Sequence, residues 1–395
     1  MRDSMSLNSN LFNALVENVK RVGEEVIAPH AYDVDEKARF PRESIEALKG
    51  LKLLSAYVPE SAGGMGLNII QVAKICEVLG RYCGSTAMIY AMHKIQVACV
   101  VHHCGGSEYF KAYIKKLVDE QRLMASATTE VGIGGDLRSS LCAVERGGPS
   151  FNLEKKAPVI SYGIDADDLM ITARRDSAAA KSDQVHVLLH KDQYALEPIS
   201  GWDTLGFRGT CSSGFNVTAQ GQSEQILPVP FADILSETMH PFAHITWSAL
   251  WAGIAADAVN KARKFVKKEA KRHIEMPPIS AIRLGELENI LQTMRNNITV
   301  AAQGYQEMLL EGDSEAYTNF GFGIRTNNLK VASSQLVVDI VGKAMLICGI
   351  SSYRNDSAFS LSRQLRDAYG AALMVNNDRI LLHNSTLLLM HKGDE

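Results

Sequence analysis

The chain has 395 residues, 46% of them hydrophobic and 22% charged, with a formal net charge of -3. That length exceeds what one hydrophobic core usually serves, so two or three domains are expected. The near-neutral balance, with no long run of one sign, argues against nucleic-acid or membrane-surface binding. No stretch reads as an uninterrupted apolar span, so membrane insertion is not expected. The polar opening MRDSMSLNSN lacks the apolar core of a signal peptide; Met5 is an alternative start to Met1, and a cytoplasmic location is expected. The seven cysteines are scattered and form no CxxC pair, which argues against a disulfide framework. His102, His103 and Cys104 lie together, but a second ligand cluster at zinc-site spacing is missing, so a helix end is the expected reading and no metal is assigned.

Residues 9–122 carry helical periodicity. The first helix is expected to end at Pro29, and a second starts near Pro41 and turns at Gly50. VPESAGGMGL reads as a glycine-rich loop, followed by two strongly apolar helices and the amphipathic SEYFKAYIKKLVDEQ. The texture changes near residue 123. LMASATTEV is strand-like, VGIGGD is a turn, and CAVERG, SFNLEKKAPVIS, DLMITARR, QVHVLLH and SGFNVTAQ are short β candidates punctuated by Gly, Asp, Asn and Ser. No βαβ alternation appears, which disfavours a Rossmann fold. Helices return near residue 234: one from about Ile245, one broken from it by Pro277-Pro278, and two more over 325–347 and 357–390. Four long helices with short connections predict an antiparallel bundle. The fold class expected is multi-domain α+β: an N-terminal all-α domain (1–123), a middle antiparallel β domain (124–233) and a C-terminal four-helix bundle (234–395).

Five segments, in this order, resemble the acyl-CoA dehydrogenase superfamily over nearly the whole chain. FPRESIEALKGLKLLSAYVPESAGGMGL is similar to its N-terminal helix, turn and glycine loop. TTEVGIGGD, Thr128 to Asp136, resembles its TEP-GAGSD segment. WDTLGFRGTCSS resembles its G-x-R-x-S/T-x-S strand, LPVPFADI its linker into the bundle, and QLRDAYG its RDA segment. The resemblance implies a flavoprotein, with FAD as cofactor and reduced FMN or FAD as co-substrate in the alternative. It also implies a homo-oligomer, dimer or tetramer, with an electron-transfer or flavin-reductase partner.

The residues themselves agree with a cofactor loop. Thr128 and Thr129 end a strand, and the glycines after them let backbone N–H groups approach a flat ring or a phosphate closely. By resemblance Thr128, Thr129 and Gly135 contact the flavin, although Gly135 stands where the family often has Ser. KAPVISYG aligns with K-x-W-I-T-N-G, so Pro158 and Ile160 replace the family's Trp and Thr, and Ser161 supplies the hydroxyl after a one-residue shift. The family's R-x-T-F-G is missing; Arg272 or Lys271 is the cation offered for pyrophosphate. In LICGISSY only Gly349 matches the I-x-GG-x-G turn.

The family removes an α proton from an acyl thioester with a Glu shortly after RDA, while flavin takes the β hydride. Counting from Arg366-Asp367-Ala368, that place falls on Val375, which cannot take a proton. Asn376 and Asn377 are not bases, and Asp378 is either a shifted base or a surface acid beside Arg379. The second family position, on the first bundle helix, falls near Ala243 and His244, with Glu237 about two turns away. His244 is therefore a candidate base, or a partner for a flavin peroxide, against a structural helix histidine. His93 and Tyr369 are pocket candidates against plain packing. Three functions are open: oxidation of a CH–CH unit in a CoA- or carrier-bound acyl substrate, a two-component monooxygenase using reduced flavin and O2, and a non-catalytic protein retaining the fold.

Overall fold

The computed structural model describes residues 7–271, 278–313 and 315–391. The N-terminal part is helical: α1 (Ser9–Val22), α2 (Ala28–Glu36), α3 (Arg42–Gly50), α4 (Ile69–Gly80), α5 (Gly84–His103) and α6 (Glu108–Glu120). The first helix does not stop at Pro29. A π turn over Gly23–Ile27 joins α1 to α2, and Pro29 sits in the opening turn of α2, where a missing N–H costs little. Gly23 permits this path, because a Cβ there would meet the Tyr82 ring at 2.2 Å.

The middle part holds β1 (Met124–Ala127), β2 (Glu145–Gly147), β3 (Ser150–Ala157), β4 (Asp168–Arg174), β5 (Gln184–His190), β6 (Tyr194–Ser200) and β7 (Gly214–Gln222). They form a sheet of order β1-β4-β5 and a second of order β2-β3-β7-β6. All ladders are antiparallel except β1–β4, which is parallel, so the expected antiparallel domain carries one parallel edge. β6 escapes the pattern reading. It is an edge strand with mostly exposed side chains and contains Pro198 beside a bulge, which a central strand would not tolerate.

After α7 (Phe231–Ile234) and a π turn, the bundle follows: α8 (His240–Ala270), α9 (Ile279–Glu311), α10 (Phe320–Cys348), α11 (Ile350–Tyr353), α12 (Ser362–Leu373) and α13 (Asn377–Met390). The segment expected as one helix over 357–390 is two. Val375 and Asn376 both have positive φ, 52° and 33°, and Asn376 caps α13 by accepting the Asp378 N–H. α10 is long and apolar enough to cross a membrane by length and composition, contrary to the expectation of no such stretch; half of its most apolar window is buried, and α8, α9, α12 and α13 pack around it.

α4 and α8 cross closely, because a Cβ at Gly80 would meet the Leu250 carbonyl oxygen at 2.3 Å and one at Gly253 the Glu77 carbonyl oxygen at 2.2 Å. Beside this crossing, Glu77 accepts from Arg81 at 2.9 Å, from Lys74 at 3.0 Å and from Arg295 of α9 at 2.7 Å. Burial pushes the Glu77 carboxyl up, but the three cations override it and hold it at about 2. A carboxyl depressed on folding adds stability above its unfolded pKa and loses it as pH falls through the folded value. Glu77→Gln is therefore expected to cost on the order of 3 kcal/mol at neutral pH. In denaturant melts the gap from the unmodified chain should close as pH falls from about 4.5 to about 2.

Candidate functional site

The glycine loop after β1 is held from both sides. Glu130 is buried, and its carboxylate accepts from Ser140 Oγ at 2.8 Å, Leu141 N at 3.1 Å and Cys142 N at 2.7 Å. Lys155, fully buried on β3, approaches that carboxylate to 3.7 Å and donates to Thr172 O and Oγ1 at 2.7 and 2.8 Å. From the bundle, Arg379 of α13 donates to Gly135 O at 2.8 Å and Gly134 O at 2.5 Å. Gly135 has φ +77°, and a Cβ there would meet Arg379 Nη1 at 2.2 Å. The departure from Ser at this position thus has a cause: the guanidinium occupies the space a side chain would need.

Thr128 and Thr129 are half-buried at the end of β1. Thr129 Oγ1 donates to Val159 O at 3.2 Å. Val159 is 37% exposed while Ile160 is buried, so Val159 faces outward beside Thr129. Ser161 is buried, and its hydroxyl lies 2.8 Å from Ser212 Oγ, which lies 2.8 Å from Thr210 Oγ1. Thr128, Thr129, Ser161 and Gly135 belong to adjacent segments, since Val131 N bonds Lys156 O at 2.9 Å. Of the other expected cofactor residues, Gly349 does not join them. Arg272 lies outside the described residues. Gly349 has φ +55° and ends α10, twenty-two residues beyond Asn327, about 30 Å at helical rise.

Opposite the glycine loop, α8, α10 and α13 form a polar seam. His240 bonds Asn327 Oδ1 at 2.9 Å, Asn327 donates to Asn384 at 2.7 Å, and Asn384 donates to Asn328 at 3.0 Å. Burial lowers His240 to about 4, with Arg138 of the glycine loop among the contributing cations. His244 is buried, has Nδ1 3.1 Å from Thr326 O, and stacks at a tilt on His240 with centroids 4.2 Å apart. Burial and His240 hold it well below the ordinary imidazole value, so it is neutral at pH 7. It keeps the bundle together and also borders the seam.

Asp378 is exposed in the first turn of α13, where an acid suits the helix dipole. His93 is a core residue. Its Nδ1 accepts the Met124 N–H at 3.0 Å, so Nε2 carries the proton and donates to Leu54 O at 2.7 Å. Tyr369 is 51% exposed on α12. His102 bonds Tyr57 at 2.7 Å and His103 bonds Thr238 at 2.9 Å, which explains that pair without a metal.

The residue missed from the sequence is Lys330. It is fully buried on α10, donates to Asn377 Oδ1 at 2.7 Å and lies 5.9 Å from the Trp251 ring centroid. Asn377 is two residues past Val375, so this amine backs the loop where the base was sought. Burial lowers it to about 8. A lysine amid apolar helix residues looks like any amphipathic position, and only the helix packing reveals it. Three further buried atoms on α8 have no protein partner: Trp247 Nε1, Ser248 Oγ and Trp251 Nε1.

These features fit a flavin. The ring carries several acceptor atoms, and the orphaned donors on α8 have no acceptor in the protein; leaving such groups unpaired costs about 1–3 kcal/mol each. The open glycine loop allows close backbone approach: a Cβ on Gly134, at φ +62°, would meet nothing within 4 Å.

Family models for the acyl-CoA dehydrogenase N-terminal and C-terminal domains match residues 12–121 and 238–375. Cyclohex-1-ene-1-carbonyl-CoA dehydrogenase of Geobacter metallireducens is 24% identical over 362 residues, covering 89% of this chain and 91% of that protein. A probable acyl-CoA dehydrogenase of Bacillus subtilis is 26% identical, covering 89% and 90%. Among solved structures, butyryl-CoA dehydrogenase from Megasphaera elsdenii superposes with a TM-score of 0.81 at 19% identity, covering 97% and 99% of the two chains. FMN-bound TdsC from Paenibacillus sp. A11-2 gives 0.83 at 18% identity, covering 97% and 98%. The helical, β and helical order, the two family-model matches and the end-to-end relatives give one answer: the chain belongs to the acyl-CoA dehydrogenase superfamily of flavin-dependent oxidoreductases.

Proposed function

We propose that this protein is a cytoplasmic, FAD-dependent dehydrogenase that oxidises a CH–CH unit of an acyl thioester, bound to CoA or to a carrier protein. The observation that carries the reading is the meeting of a clamped glycine loop with the donor-rich seam behind Val375. Bound flavin would supply the hydride acceptor. Thr128, Thr129 and Ser161 would meet its edge, Gly134 and Gly135 would admit it to the backbone, and the α8 donors would face its acceptor atoms. The α proton must go to a protein group. Val375 has none to offer, and Asp378 faces solvent. Lys330 is the titratable group joined to this loop, and an amine near 8 is suited to accept a proton close to neutrality. FAD is preferred to FMN on the family resemblance.

The surface supports a homo-oligomer, dimer or tetramer. Leu346, Ile350 and Tyr353 are each more than 70% exposed beside Gly349, and Leu382 and Leu389 are similarly bare on α13. An apolar face of this kind suits a second copy, which would bring Gly349 to a neighbour's site. Electrons would leave to a separate electron-transfer protein.

A second reading is a two-component monooxygenase taking reduced FMN or FAD from a reductase. One observation favours it: the loop Met374–Asn377 has no carboxylate. The dibenzothiophene monooxygenase TdsC shares the fold, with a TM-score of 0.80 at 17% identity.

Anaerobic mixing with acyl-CoAs of graded chain length should bleach the visible absorption of the oxidised flavin. Bleaching by none of them, with product formed only from reduced flavin and O2, would select the second reading. The bleaching rate should rise with pH through about 8, because the amine must shed its proton first. Lys330→Gln should slow it about 100-fold or more and flatten that rise; an unchanged pH profile would remove Lys330 from the role. Gly135→Ser should weaken flavin binding through its clash with Arg379, and adding Arg379→Ala should relieve the clash without restoring the clamp, which a flavin titration reads directly.

A further inference from the structure

We infer that Ser161 sets the cofactor edge of this site to prefer reduced over oxidised flavin, because its hydroxyl proton is committed within the protein. The inference rests on the proposed reading that the flavin edge meets Ser161.

The argument counts protons. Thr210 Oγ1 lies 2.8 Å from Phe207 O, and a carbonyl can only accept, so the Thr210 proton is spent there. Thr210 Oγ1 is also 2.8 Å from Ser212 Oγ, so Ser212 must be the donor in that pair. Ser212 then has no proton left for Ser161, 2.8 Å away, and Ser161 must donate to Ser212. The row therefore runs Ser161 to Ser212 to Thr210 to Phe207 O. Thr210, Ser212 and Ser161 are all buried, so water does not readily reverse it. Thr129, half-buried, donates to Val159 O at 3.2 Å where water can compete. Toward any ligand, Ser161 presents lone pairs only.

Oxidised flavin offers N5 as an acceptor, and an acceptor facing an acceptor forms no bond. Two-electron reduction with uptake of a proton turns N5 into an N–H, which a hydroxyl oxygen accepts. A site that binds the reduced form better raises the cofactor's potential by linkage. This serves either functional reading: a dehydrogenase gains a stronger hydride acceptor, and a monooxygenase gains grip on delivered reduced flavin. Ser161 touches the cofactor; Ser212 and Thr210 are positioning residues that act through it.

The test is the two-electron potential of flavin bound to the full chain, measured by equilibrium reduction against reference dyes with FMN and FAD. Thr210→Val leaves Phe207 O bonded to Trp202 Nε1 and to Thr210 N at 3.1 and 3.0 Å, so no buried carbonyl is orphaned. It removes the oxygen to which Ser212 donates. Ser212 then turns its proton to Ser161, and Ser161 becomes free to donate to the oxidised ring. The potential should fall by about 30 mV, a tenfold change in the ratio of affinities for the two forms. Thr210→Ser, which keeps the hydroxyl, should return it to the unmodified value and guards against a folding artefact. Ser161→Ala should lower the potential by less than Thr210→Val, because it removes the acceptor without creating a donor. A rise in potential with Ser161→Ala, or no change with Thr210→Val while flavin stays bound, overturns the inference alone. Failure of the unmodified chain to bind flavin in either redox state overturns the functional reading together with it.

Discussion

The structure turns on Asp367. Its carboxylate is buried where the three parts of the chain meet, accepting the Phe207 N–H at 2.6 Å and lying against α5 so closely that a Cβ on Gly84 would come within 2.6 Å of Oδ2. Burial raises it to about 6, although the Phe207 amide and nearby arginines pull the other way. Its neighbour Arg366 donates to Asp35 of α2 at 3.0 Å and to Leu205 O at 2.9 Å. Gly206 must be glycine because its Cβ would strike the Arg366 carbonyl at 2.2 Å. One turn of α12 thus fixes the N-terminal helices, the 3-10 turn that carries the hydroxyl row, and the segment Met374–Asn377. Each side of the site is placed by this one junction.

A second constraint acts on the glycine loop. A loop with positive φ at Gly132, Gly134 and Gly135 has many accessible conformations, and holding one of them costs entropy. Glu130 and Lys155 anchor it from the β side, and Arg379 anchors it from the bundle. Because Arg379 follows Val375 by four residues, the segment that joins α12 to α13 also steadies the glycine loop. Changes in Met374–Asn377 and in the loop are therefore coupled through Arg379. The Gly135 departure and the Arg379 contact are one feature seen from two ends.

Legibility in the sequence followed range. Helical period and glycine punctuation marked the helices and most strands, because those depend on neighbours in sequence. Pro29 misled, since a π turn lets a helix restart with proline in its opening turn, and Pro198 hid β6 because an edge strand tolerates what a central one does not. The glycine loop was legible because its backbone needs are written as glycine. The seam was not. Lys330, Ser248 and the two Trp Nε1 groups acquire meaning only when α8 meets α10, and nothing local distinguishes them from ordinary helix residues. His244 was visible as a histidine, but its neutral state comes from burial and from His240 one turn earlier. Val375 could be read as the absence of a base, yet the amine behind it could not be read at all.

The two walls of the site differ in hydrogen-bond sense, and this difference bears on what the fold can hold. On the β side the buried Ser161 hydroxyl gives its proton to Ser212 and so presents an acceptor. The bundle side presents indole N–H groups, a serine hydroxyl without a partner and an amine, so it donates. A plain hydrocarbon chain would satisfy neither wall and would leave each buried polar group at its full desolvation cost. A planar heterocycle with N–H at one edge and carbonyl oxygens at another satisfies both, and does so better once reduction has added an N–H.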